Sequence, residues 1–210
     1  FHHRLEEAIK RSRRADKSIA LMFLDLDFFK EVNDSLGHDM GDILLKDTAK
    51  RILSCVRETD IVARLGGDEF TIIFDDPSNI ERIAQMVLHK LAEPFPLGKD
   101  ELAYISASIG IALFPEDAKN IADLLKHADQ AMYSAKDQGR NTFSYFTQSM
   151  QEASQSRMRL INDLRRALAD NQFQVYYQPI VALENGAIHK AEALIRWHHP
   201  THGLIMPGEF

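Results

Sequence analysis

The chain is poor in cysteine, in long apolar runs and in positive charge, and each shortage closes off a class of function. Cys55 is the one cysteine in 210 residues, so no internal disulfide can form and a disulfide-stapled scaffold is excluded. A single thiol fits a reducing compartment, and the expected location is the cytoplasm, either free or as the cytoplasmic part of a membrane-anchored sensor. No stretch approaches the ~20 consecutive apolar residues of a membrane helix, and the opening FHHRLEEAIKRSRR lacks the apolar core of a signal peptide. Membrane contact is therefore not expected within the chain. Lys and Arg number 25 against 31 Asp and Glu, a net charge of −6. A nucleic-acid partner is not expected, because such surfaces need a basic face that releases counterions. Any chemistry on phosphate must then be local.

What is present is an ordinary globular composition, 45% hydrophobic and 27% charged, with enough apolar material for a core. The continuous apolar run IALMFLD (residues 19–25) predicts a central strand covered on both faces. Helices are expected over 28–36 and 41–56, with Gly37 between them. Strands are expected over 61–65 and 70–74, joined by a tight hairpin at Gly66-Gly67. Ile80, Ile83, Ala84, Val87, Leu88 and Leu91 keep the helical period, and EPFPLG stops that helix. The alternation of Ile105, Ala107, Ile109 and Ile111 with Ser106, Ser108 and Gly110 predicts a half-exposed strand. A helix over 121–137, closed by Gly139, and a strand at TFSYF complete an α/β (α+β) pattern, a mixed central sheet flanked by helices.

From about residue 147 the pattern changes. The organisation expected is one domain over 1–147, a polar linker over 148–156, and a second, incomplete unit over 157–210. That unit comprises a helix and two strand-like runs, FQVYYQPIV and AIHKAEALIRW. His198, His199 and His202 sit in the turn-rich WHHPTHG and are read as loop residues, since a zinc-type site needs partner ligands that this spacing does not supply.

The carboxylates carry the chemistry. Asp25 and Asp27, two apart at the end of the central strand, share a face if the strand persists. Asp68 and Glu69 follow a glycine pair whose bare backbone lets a bulky group approach. Acidic groups converging from two neighbouring strands are costly unless a divalent cation neutralises them, and hard oxygen donors suit Mg²⁺ with phosphate as a further ligand. Taken singly, each of these residues also fits an ordinary exposed charge.

The set DLDFFKEVNDSLGHDMGD, GGDEF and AKDQGRN (residues 135–141), in that order, resembles the diguanylate cyclase family of GGDEF domains over roughly residues 1–147. The family's usual opening motif is missing, so the first helix is expected to be weakly anchored. The resemblance implies a nucleotidyl-cyclase or polymerase-palm-like fold. It also implies condensation of two GTP into cyclic di-GMP with loss of pyrophosphate. It places Mg²⁺, or Mn²⁺, on Asp25, Asp68 and the Leu26 carbonyl. Glu69 would join the metal site or take the proton of the attacking hydroxyl, with Lys30 as a further catalytic cation. Lys136 and Arg140 would bind phosphate, with Gly67 at the turn, and Asn33 and Asp42 would read guanine. A carboxylate suits the N1–H and N2–H₂ donors of guanine, whereas the N1 acceptor of adenine would leave it unpaired. RETD resembles the family's product-inhibition motif, through Arg57 and Asp60, with Arg82 the one arginine on the following helix. Because the product is two-fold symmetric, a homodimer with one GTP per domain is expected.

The tail, EALIRWHHPTHGLIMPGEF with FQVYYQPIV before it, resembles the start of the EAL family of cyclic di-GMP phosphodiesterases. Gln178, Glu192 and Arg196 then correspond to that family's site residues. Its barrel needs ~250 residues, so phosphodiesterase activity is not expected of this chain. A second function compatible with these resemblances is a GTP-binding regulatory module that controls a phosphodiesterase.

Overall fold

The computed structural model describes residues 1–98 and 101–210. The first unit, Phe1–Gln151, begins with helix α1 (His2–Ala15) and the nine-residue strand β1 (Ile19–Asp27). Helices α2 (Phe29–Leu36) and α3 (His38–Cys55) follow, then the hairpin of β2 (Ile61–Gly66) and β3 (Glu69–Phe74), and α4 (Ile80–Ala92). A two-stranded ribbon of β4 (Phe95–Pro96) and β5 (Leu102–Ala103) leads to β6 (Ser106–Phe114), α5 (Ile121–Asp137) and β7 (Thr142–Tyr145). Five strands form one mixed sheet in the order β2-β3-β1-β6-β7, antiparallel except for the β6–β7 pair.

The two-residue period of β1 builds three layers from this sheet. Ala20, Met22, Leu24 and Leu26 face a core shared with Leu44, Ile52, Val87 and Leu91 of α3 and α4. Ile19, Leu21 and Phe23 face the opposite core, with Leu5 and Ile9 of α1 and Leu124, Ala128 and Met132 of α5. Asp25 and Asp27 continue that second row, so the face that is apolar for three residues becomes acidic at the end of the strand. Helix α1, expected to be weakly anchored, buries Leu5, Ala8 and Ile9. Arg11 of α1 also donates through one nitrogen to both carboxylate oxygens of Asp75, at 3.0 Å each.

Strand β6 departs from the expected half-exposed pattern: six consecutive residues, Ala107 to Ala112, are buried. The small polar side is the one that lies beneath α5. A Cβ on Gly110 would come within 1.9 Å of the Ala128 carbonyl oxygen, so glycine lets the helix settle directly on the strand. The hairpin is also displaced by one residue from Gly66-Gly67. Gly66 pairs with Glu69, leaving Gly67 (φ 49°) and Asp68 as the turn, and the register shifts between Arg64 and Gly66.

Residues 148–156, expected as a linker, are helical. They open α6 (Gln148–Ala167), because this polar segment contains no proline or glycine to interrupt it. The second unit, Glu152–Phe210, adds β8 (Phe173–Val181), β9 (Ile188–His199) and β10 (Gly203–Ile205) in an antiparallel sheet ordered β10-β9-β8. Its buried apolar residues are Ala167, Trp197 and Ile205, with Leu160, Leu164, Phe173 and Phe210 packed against them. No helix among the described residues is long and apolar enough to cross a membrane.

Candidate nucleotide and metal site

Three loops bring the charged residues of the first unit together. The end of β1 supplies Asp25, Leu26 and Asp27, the β2–β3 turn supplies Asp68, and α5 with the loop after it supplies Lys136 and Arg140. With Phe28 and Lys30, they line a cleft of about 260 Å³. Asp25 stands opposite Glu69 in the β1–β3 register, and the Leu26 amide donates to the Asp68 carbonyl at 3.3 Å, fastening the turn to the strand end.

Electrostatically the cleft is short of positive charge. Burial raises the Asp25 carboxyl above its usual range, Lys136 pulls it back, and Asp68 and Asp27 push it further up. Lys136 Nζ lies 2.7 Å from Asp25 Oδ1. Glu69 is raised by burial and then by Asp25, Asp129 and Asp68. Asp129, one of the residues the sequence reading missed, is raised by burial and by Asp25, with Lys136 opposing. It lies two helical turns before Lys136 on α5, a spacing that places both on one face and that the sequence already displayed. Among the described residues, no three His, Cys, Asp or Glu side chains form a group able to hold a metal ion. A cation here would need ligand oxygens to complete its shell, and Asp25, Asp68 and the Leu26 carbonyl are hard donors that could contribute to it.

A second cleft, of about 420 Å³, is lined by Asp42, Leu45, Lys46 and Ala49 of α3 and by Val62, Arg64 and Phe70 of the hairpin, among others. Its walls are mostly apolar with one carboxylate, a suitable lining for a flat heteroaromatic ring. Asn33 packs on Gly41, the residue before Asp42, where an added Cβ would stand 1.9 Å from Asn33 Oδ1. Arg64 Nε donates to the Gly67 carbonyl at 2.8 Å, linking the wall of this cleft to the turn that carries Asp68.

Elsewhere the backbone of Arg57 donates to Asp60 Oδ2 at 2.9 Å, and the Arg57 side chain lies 3.7 Å from Asp76. Arg82 contacts Met86 on its own helix. In the second unit Gln178 and Glu192 are direct partners in the β8–β9 register, and both are exposed. Arg196 shares the Glu192 face four residues on and donates to the Ile195 carbonyl. The largest cavity described, about 820 Å³, is lined by second-unit residues such as Leu160, Leu164 and Phe210 and contains none of these side chains. His199, expected in a loop, ends β9 and is buried. Its Nδ1 accepts from Thr201 and His202, and its Nε2 lies 3.2 Å from Asp163.

Comparisons with known proteins agree with the arrangement of these elements. The family profile described as "Diguanylate cyclase, GGDEF domain" matches residues 1–142, and the EAL domain profile matches residues 161–210. A Pseudomonas aeruginosa protein named bifunctional diguanylate cyclase/cyclic di-GMP phosphodiesterase MucR is 46% identical over 99% of this chain and 30% of its own length. Cyclic di-GMP phosphodiesterase NbdA of the same organism is 41% identical over 100% of this chain and 27% of its own length. The chain thus spans less than a third of these relatives. Among solved structures, the GGDEF domain of P. aeruginosa TpbB (YfiN) superimposes with a TM-score of 0.70 at 38% identity, covering 73% of this chain and 91% of that one.

Proposed function

The chain belongs to the GGDEF family of diguanylate cyclase domains and continues into an EAL fragment, and from that premise we propose that its first unit condenses two GTP into cyclic di-GMP as a homodimer. The observation that carries this reading is that two unlike clefts border one hairpin: an apolar one with Asp42, and a charged one with Asp25, Asp68, Lys30, Lys136 and Arg140. A purine base and a polyphosphate tail have those two characters.

In this reading Asp25, Asp68 and the Leu26 carbonyl would hold Mg²⁺, or Mn²⁺ in its place, which when bound supplies Lewis-acid polarisation of the α-phosphate. Lys30, Lys136 and Arg140 neutralise phosphate oxygens, and Gly67 leaves the turn without a side chain at the point of closest approach. Asp42 and Asn33 select guanine by their hydrogen-bonding pattern. Glu69, raised by burial and neighbouring carboxylates, either joins the metal ligands or accepts the proton of the attacking 3′-hydroxyl. Each domain presents one nucleotide, so two copies facing across a two-fold axis complete the reaction. Arg57 and Asp60 form the product-inhibition site.

A second reading has support of its own. A relative that aligns with the whole chain is named a phosphodiesterase, which favours a GTP-binding module that regulates an EAL phosphodiesterase in the longer protein. Incubation with GTP and Mg²⁺, followed by chromatography for pyrophosphate and cyclic di-GMP, separates the two. Formation of both products is expected. GTP binding without turnover would favour the regulatory module.

A further inference from the structure

Asp27 is a buried carboxylate for which the proposed mechanism has no use. It is 2% exposed, and both of its oxygens are committed to the protein. Oδ2 accepts from Ser106 Oγ at 2.6 Å and from the Asn141 amide at 3.3 Å. Oδ1 accepts from Ser108 Oγ at 2.8 Å and lies 3.9 Å from Arg140 Nε. Ser106 is its register partner, and Ser108 that of Asp25, so strand parity delivers both hydroxyls to the face where Asp27 lies.

The backbone around this carboxylate is unusual. Phe28 (φ 63°), Arg140 (φ 65°) and Asn141 (φ 49°) all adopt left-handed conformations without being glycine. Such residues persist only where their surroundings hold them, and they gather at functional sites. The Arg140 guanidinium sits 5.3 Å from the centre of the Phe28 ring, with its Nε 3.9 Å from Asp27, and it lines the charged cleft.

We infer that Asp27 is a positioning residue: with Phe28 it forms a seat that fixes Arg140 in advance for the phosphate tail of the nucleotide. This rests on the reading of the cleft as a GTP site. A flexible arginine would lose rotamer freedom on binding phosphate, and a seated one has lost it already. Asp27 therefore acts through Arg140, and its value depends on that arginine being present.

The test is a double-mutant cycle by titration calorimetry, with GTP and GMP as probes in the presence of Mg²⁺. Asp27→Asn is expected to weaken GTP binding about tenfold, as for loss of one charge-assisted contact, and GMP binding by less than about twofold. Arg140→Ala should do the same, and the double variant should be no weaker than Arg140→Ala alone. Phe28→Ala removes an exposed wall of the seat without touching the core. It should weaken GTP binding about threefold, and only when Arg140 is present, which keeps the test decisive if Asp27→Asn fails to fold. Additive losses, or equal losses for GTP and GMP, would overturn the seat while leaving the GTP site in place. A parent protein that binds no GTP would overturn both.

Discussion

The two units treat polar residues on strands in opposite ways. In the first, β1 is covered on both faces, and its polar residues are confined to the strand's end, where they meet cations, hydroxyls and one another. In the second, Gln174, Tyr176, Gln178 and Ile180 alternate along an exposed β8, opposite Arg196, Leu194, Glu192 and Lys190. The lesson is that burial without enough donors or cations favours the protonated form: Asp25, Glu69 and Asp129 are raised mainly by desolvation.

The sharpest way to break this contrast is on activity. Asp68→Asn should lower cyclic di-GMP formation about 10²–10³-fold, on the scale of losing one electrostatic partner of the reacting group, while the melting temperature holds. Collapse of the fold would make Asp68 structural. Next comes packing. Gly110→Ala should destabilise the first unit by about 3 kcal/mol, from overlap with the α5 backbone, whereas Gly208→Ala in the second unit, with no atom within 4 Å, should be neutral in urea titrations.

Trp197, the one tryptophan, lies in the small second core, so its fluorescence reports on that unit alone. Its urea midpoint should fall about 1 M below that of the far-UV signal, and coincident midpoints would join the units into one cooperative body.

A smaller effect concerns pH. The raised carboxyls keep their protons in the fold above their ordinary values of 3.8 for Asp and 4.5 for Glu. Their contribution is therefore full below those values and is lost as pH rises through the raised folded ones. Mg²⁺ should restore it, so the rise in melting temperature on adding Mg²⁺ should be a few degrees greater at pH 7 than at pH 4.5, by about the shift expected for ~1 kcal/mol. The smallest change in stability belongs to Arg57→Ala, whose 3.7 Å contact with Asp76 is exposed. It should weaken product inhibition and leave the melting curve unmoved.

Much of this was legible in the chain. The apolar run of β1 and the helical period of α4 follow from spacing and residue type, and the motif residues around Asp25 and Asp68 from the resemblance to the GGDEF family. What escaped was whatever depends on coverage by another element. Ser106, Ser108 and Gly110 look like a solvent face because they are small or polar, yet smallness is what admits α5 and the hydroxyls are what satisfy Asp27. Asp27 itself reads like a twin of Asp25, and only the donors around it tell them apart. Helix α1 was undervalued because Leu5, Ala8 and Ile9 show their worth only against α5 and the sheet.

The alternation in β1 makes the site a matter of counting. An insertion of one residue between Ile19 and Asp25 would send both aspartates into the layer of α3 and α4, while an insertion of two would return them to their own side. Unless a bulge absorbs the extra residue, the strand keeps its site only when its length changes by an even number.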